Sequence, residues 1–246
     1  MMNAPAHWLS IITVTKDDPV GWARTLASAT TWRAYDGVEQ IVVHAGREPT
    51  AVPDSVQCLR QEGHGIAAAF NEGLKVAQGE WVWFLNGGDA IHEELGPDWL
   101  RLLLSRTQAD LVVGCVHGDG DAEARALSPL REQWPLLHSW PPHPATLVRR
   151  GLLLRFGGFD PHYRICMDFD LWQRLLGAGA RADVISIPLA RFDLKGVSNR
   201  PDSAGMVFRE NGAVLWRYQG AVWLALWRSV RGLITGWLRA VHHRFF

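Results

Sequence analysis

Short β-branched or aromatic runs alternate with helix-patterned segments through the first half of the chain. That alternation constrains the fold more than any other feature. Trp8 to Val14 has the composition of a buried strand, Thr15-Lys16-Asp17-Asp18-Pro19 breaks it, and Gly21 to Thr31 carries helical periodicity. Glu39 to His44 and Val56 to Leu59 supply two further strands. Gly65 opens an alanine-rich helix over Ile66 to Ala77, closed by Gly79. Glu80 to Leu85 is a fourth strand, Leu95 to Arg106 a helix and Asp110 to Val116 a fifth strand. Strands separated by helices imply crossover connections, so the expectation is an α/β fold with a mostly parallel central sheet and helices on both faces.

The pattern lapses between Gly118 and Pro144, a stretch rich in Pro, Trp and His. So long a loop in a compact domain usually serves function. Regularity returns over Ala145 to Leu154, followed by a Gly157-Gly158-Phe159-Asp160 turn, a helix from Asp168 to Leu176 and a last strand over Ala182 to Pro188. A boundary is expected near Pro201 to Gly205, dividing a body, 1–204, from a tail, 205–246. The length of 246 residues suits one domain with an appendage. Net charge is zero, which gives no reason to expect nucleic-acid binding. Yet the tail alone holds six arginines against one glutamate, so the body carries an equal excess of negative charge. Cys58, Cys115 and Cys166 are odd in number and lack metal-ligand spacing, which suits free thiols in a reducing compartment. The first residues lack the basic and small-residue pattern of a secretory leader, and a cytoplasmic location is expected.

In open parallel α/β sheets, ligands bind beyond the carboxyl ends of the strands. Three polar clusters fall there. Thr13-Val14-Thr15 ends the first strand. Asn86-Gly87-Gly88-Asp89 ends the Glu80 to Leu85 strand; it reads either as a simple turn or as a place where backbone approaches a ligand and a carboxylate meets a hard cation. Cys166-Met167-Asp168-Phe169-Asp170 places Asp168 at a helix N-cap and Asp170 in the first turn. Acids there stabilise a helix by themselves, while a general base at the sheet edge would have the same residue type. His143, in Pro141-Pro142-His143-Pro144, is a ligand or only a loop residue.

Taken together and in order, six segments are recognisable: Ser10 to Thr15, Gly65 to Gly73, Gly79 to Asp89, His143 to Arg149, Phe156 to Asp160 and Met167 to Trp172. The chain resembles the family 2 glycosyltransferases of GT-A fold, and more narrowly the small bacterial branch that builds exopolysaccharide or lipopolysaccharide. The resemblance covers residues 8–200. It implies a nucleotide-sugar half over 1–116 and an acceptor half over 117–204. It implies donor contacts from Thr13, Thr15, Gly65, Asn71, Gly73, Asn86, Gly88 and Asp89. Gly87-Gly88-Asp89 matches the family's aspartate-any-aspartate motif with Gly87 replacing the first acid, so Asp89 would hold Mg²⁺ or Mn²⁺ against the departing diphosphate. Asp168 matches the catalytic base of inverting members. His143, Asp170 and Lys195 fall on the acceptor side, the last in a Lys195-Gly196-Val197-Ser198 loop where the family has a glycine first. Two departures stand out: the second strand ends His44-Ala45-Gly46 instead of in an aspartate, and Ala67-Ala68-Ala69 replaces an acid often found before Asn71. They keep open the alternative of a catalytically silent binding or assembly subunit.

From Leu215 onward apolar residues recur at helical spacing opposite Arg217, Arg228, Arg231, Arg239 and His242. The longest uncharged run, Tyr218 to Trp227, is ten residues, well short of the ~20 needed to span a bilayer. Arginine on one face and tryptophan and leucine on the other suit a helix lying on a membrane surface over 215–246. The competing expectation is a helix docked on the body or on a second subunit. With a lipid-linked acceptor, the first reading places the protein peripherally on the inner face of the cell membrane.

Overall fold

The computed structural model describes residues 7–49, 51–118, 141–196, 200–219 and 230. Among these residues eight strands form one sheet: β1 (His7–Lys16), β2 (Val38–Ala45), β3 (Val56–Arg60), β4 (Gly79–Asn86), β5 (Ala90–Ile91), β6 (Leu111–Gly118), β7 (Thr146–Arg149) and β8 (Ala182–Phe192). Among the described residues seven α-helices accompany them: α1 (Pro19–Ser28), α2 (Thr30–Arg33), α3 (Gly65–Val76), α4 (Pro97–Arg106), α5 (Arg150–Arg155), α6 (Met167–Gly177) and α7 (Ala204–Gln219).

The strand order is β3-β2-β1-β4-β7-β6-β8-β5. β1 lies at the heart of the parallel half, paired with β2 on one side and β4 on the other. The mixed α/β class expected from the alternation is what the chain adopts. The second half departs from simple parallel winding, because β7 runs antiparallel to both β4 and β6 and β5 runs antiparallel to β8. β7 is only four residues long and flows directly into α5, so its alternation was too short to separate strand from helix in sequence.

Both sheet faces are dry. Ile12, Val43, Phe70, Phe84, Leu171 and Trp172 belong to the layer under α3 and α6. Leu9, Ile11, Trp32, Trp81, Trp83 and Leu100 belong to the layer under α2 and α4. Successive residues of β1 therefore feed opposite cores, as the period-two geometry of a strand requires. Each such buried side chain contributes about 1.5–3 kcal/mol of transfer free energy.

Two polar anchors tie the layers to the site edge. Ser10, fully buried, donates to Glu39 Oε1 (2.6 Å) and accepts from the Gly79 N–H (2.8 Å), joining three neighbouring strands where they begin. At the other end, the Trp83 indole donates to the Pro144 carbonyl (2.7 Å) and fixes the short turn that carries His143. α3 closes on β1 through Gly73, where a Cβ would lie 2.5 Å from Ile12 Cγ2. Gly73→Ala is expected to overpack this contact and cost about 1–3 kcal/mol, read as a lower urea midpoint with unchanged slope.

Candidate functional site

β1 and β4 end side by side, with Val14 opposite Asn86. The chain then turns through Asn86-Gly87-Gly88-Asp89, where the Gly87 N–H donates to the Val14 carbonyl (2.7 Å) and the Asp89 N–H to the Asn86 carbonyl (3.0 Å). Gly88 adopts φ +108°, and a Cβ on it would lie 2.6 Å from Asp193 Oδ2. Only glycine meets both conditions. Thr25 of α1 closes the turn from behind, donating to the Asp89 carbonyl (2.5 Å) and accepting from the Gly88 N–H (3.0 Å).

The Asp89 side chain is 1% exposed. Its Oδ2 accepts from the Asn86 N–H and its Oδ1 from the Asp193 N–H, both at 3.0 Å. Burial pushes this carboxyl above the ordinary range, with His143 and the two backbone bonds opposing the rise.

His143 stands between two carboxylates. Its Nε2 is 2.9 Å from Asn86 Nδ2 and 3.9 Å from Asp89 Oδ2. Its Nδ1 is 3.4 Å from Asp168 Oδ2. The Asn86 amide is placed to donate to Nε2, which leaves Nδ1 facing Asp168. Asp168 is the second residue of α6; the N-cap position expected for it belongs to Cys166. It keeps 17% of its side chain exposed, and its Oδ1 accepts from the Phe169 N–H (2.7 Å). The fold thus gathers Asn86, Asp89, His143 and Asp168 from three separate parts of the chain.

The other expected site residues fall elsewhere or are occupied within the protein. Asn71 spends its whole amide on one residue, donating to the Phe159 carbonyl and accepting from its N–H, both at 2.8 Å. It clamps α3 to the Gly157-Gly158 turn, and a Cβ on Gly158 would lie 2.3 Å from its Oδ1. Gly73 is required by the contact with Ile12 described above. Gly65 starts α3 at φ +85° and is exposed. Asp170 is fully buried, bonded to Arg174 Nε (2.8 Å) and to the Tyr218 hydroxyl (2.9 Å), so it has no face left for an acceptor. Lys195 is exposed, with its N–H held by Asp193 (2.9 Å); Val197 and Ser198 lie outside the described residues. Sequence reasoning missed Thr25, Asp193 and Glu210. None sits in a recognisable motif, although Asp193 lies only two residues before Lys195.

Thr13 Oγ1, Thr15 Oγ1, Asn86 Oδ1 and His44 Nδ1 are buried without a hydrogen-bond partner among the described residues. Thr15 and His44 are register partners at the ends of β1 and β2. Orphaned polar atoms cost about 1–3 kcal/mol each, and four of those found among the described residues belong to these strands and the turn that follows β4.

Mg²⁺ or Mn²⁺ on Asp89 does not fit this geometry. Such cations need oxygen ligands with room for water and phosphate. Asp89 is closed off, both its oxygens hold backbone N–H groups, and Gly87 and Gly88 bring no side-chain ligand. No group of three or more His, Cys, Asp or Glu converges with ligand spacing among the described residues.

The family model for glycosyl transferase family 2 matches residues 10–174, which include every member of the Asn86–Asp89–His143–Asp168 cluster. The chain belongs to that family. A glycosyltransferase of Mycobacterium tuberculosis, itself uncharacterized, is 27% identical over 221 residues, covering 83% of this chain and 81% of its own. A second uncharacterized glycosyltransferase, from Rickettsia typhi, is 24% identical over 163 residues, 58% of this chain and 51% of its own. Among solved structures, TarS of S. aureus superimposes with a TM-score of 0.59 at 16% identity, over 86% of this chain and 70% of the TarS fragment in complex with UDP. The same fragment in complex with UDP-GlcNAc gives 0.60 at 17% identity, over 85% and 67%. These structural likenesses establish the GT-A fold of this family 2 transferase.

The raised Asp89 carboxyl has a consequence for stability. The native state holds this proton to higher pH than the unfolded chain, so stability falls as pH rises from the ordinary carboxylate range through the native value. Asp89→Asn should flatten that segment of the profile while leaving one backbone N–H unpaired, and urea titrations between about pH 4 and 7 check it.

Proposed function

We propose that this family 2 transferase moves a sugar, with inversion, from a nucleoside-diphosphate donor to a hydroxyl of a glycan or lipid-linked acceptor in cell-surface polysaccharide synthesis. The observation that carries the reading is the contrast between its two clustered carboxylates. Asp89 is sealed and bonded to backbone, whereas Asp168 is partly open at the carboxyl edge of the sheet.

Asp168 is the base in this mechanism. It takes the proton of the acceptor hydroxyl as that oxygen attacks the anomeric carbon and the bond to the diphosphate breaks on the opposite face. His143, with a proton on Nδ1, steadies the Asp168 carboxylate beside the reacting oxygen. The donor lies against the ends of β1, β2 and β4, where Thr15, His44 and Asn86 hold unsatisfied polar atoms. Support for a nucleotide sugar comes from TarS, whose fragment of the same fold has been solved with UDP and with UDP-GlcNAc. A silent binding subunit is the second reading, favoured by one observation: His44 and Ala67 to Ala69 stand where acids are expected on the donor side.

Asp168→Asn is expected to lower turnover by about 10²–10⁴-fold with donor affinity retained. Thermal shifts with UDP-, GDP-, dTDP- and CMP-sugars, each with EDTA and with Mn²⁺, identify the donor. Stabilisation by one nucleotide class without turnover would support the silent subunit instead.

No helix among the described residues is long and apolar enough to cross a membrane. Most of the basic, tryptophan-rich stretch 215–246 lies outside the described residues, although Trp216 is 60% exposed on α7. Peripheral attachment through this stretch is part of the proposal. The full chain should float with anionic liposomes, and a truncation after Gln219 should not.

A further inference from the structure

α6 presents Asp168 but is not capped by its own sequence. Cys166 occupies its N-cap without a side-chain cap bond, and its thiol donates instead to the Val207 carbonyl of α7 (3.7 Å). The free N–H groups at this entry are met from 44 to 46 residues away. Glu210 Oε1 accepts from Arg164 N, and Oε2 accepts from Ile165 N and Cys166 N, all at 2.9 Å. A carboxylate at a helix N-terminus gains from both charge-assisted bonds and the helix dipole.

The same helix grips α6 beyond Asp168. The Tyr218 hydroxyl donates to the buried Asp170 (2.9 Å), and Arg174 joins Asp170 to the Phe156 and Gly158 carbonyls. Between these polar grips, Cys166 and Phe169 pack on Val214 and Leu215. Asp168 is therefore bracketed by α7 contacts at 164–166 and at 170. The family match ends at residue 174, so α7 lies outside the matched region.

We propose that Glu210 is a positioning residue, which holds the chain entering α6 at residues 164–166 so that Asp168, on the helix's first turn, faces His143 and the acceptor. α7 is thereby part of the catalytic unit, not a linker to the tail. The inference rests on the role of Asp168 given above. A displacement of about 1 Å at a reacting group can cost on the order of 10²-fold in rate, so a slack first turn would be felt in turnover before binding.

The test uses the full chain with Glu210→Gln, whose single acceptor oxygen cannot serve both sides of the original carboxylate. Turnover should fall by about 10-fold or more with the donor KM changed less than about 2-fold. In an Asp168→Asn background the same substitution should cost less than about 2-fold further, because both act through one group. Tyr218→Phe, which keeps the packing, should give a smaller loss with the same signature. Unchanged turnover in Glu210→Gln, or a loss that multiplies in full with Asp168→Asn, overturns the proposal. Two readouts do not depend on transfer. Amides of 163–170 should exchange faster in Glu210→Gln, and the ring-nitrogen NMR shifts of His143 should move. If wild type transfers no sugar, the reading of Asp168 as base fails; if exchange and the His143 shifts match wild type, the positioning role fails.

Discussion

The buried carboxylate of Asp89 joins two pieces of chain that are 104 residues apart: one oxygen closes the turn after β4 and the other holds the backbone leaving β8. Most of the site geometry hangs on that bridge. It fixes Asn86, which contacts His143, and it brings Asp193 against Gly88, where no side chain larger than hydrogen fits. A buried carboxylate with only two N–H partners is costly, and its raised proton affinity shows the cost. What offsets it is connectivity, because the two halves of a mixed sheet meet there and a neutral side chain cannot accept two backbone bonds on opposite sides.

The site separates its two acids by environment. Asp89 lies beneath the turn, sealed by Thr25, Gly88 and the β8 exit. Asp168 lies at the lip, on the first turn of a helix, with one oxygen toward His143. Identical side chains thereby receive different work: one maintains shape and the other remains available to a proton. His143 can link them because the Trp83 indole, deep in the core, holds the carbonyl of the next residue. Core packing thus reaches the reacting edge through one hydrogen bond.

α7 extends the logic beyond the matched family region. Its apolar face, through Val214 and Leu215, covers α6, while Glu210 and Tyr218 satisfy polar groups that α6 and its entry loop would otherwise leave unmet. Up to Gln219, then, the segment that follows residue 204 docks on the body, as the competing expectation for the tail allowed.

The sequence by itself determined the α/β class, six of the eight strands, all but the two-residue β5 and the four-residue β7 that local patterning left unmarked, and the edge on which Asn86, Asp89 and Asp168 would meet. Periodicity and glycine placement are local signals, and strands ending in polar clusters bring those clusters to one edge whatever the details. Sequence also marked His143, Asn71 and Gly73 as special, but not in what way. Whether an amide contacts a ligand or clamps a Phe159 backbone, and whether a glycine admits a donor or a methyl of Ile12, depends on distances between residues far apart in the chain. The same holds for Asp89, whose motif position suggests an open metal ligand and whose burial makes it a strut. Thr25, Asp193 and Glu210 carry no sequence signal because their partners are backbone groups, which every residue possesses; only the tertiary structure decides which backbone group a carboxylate or hydroxyl will meet.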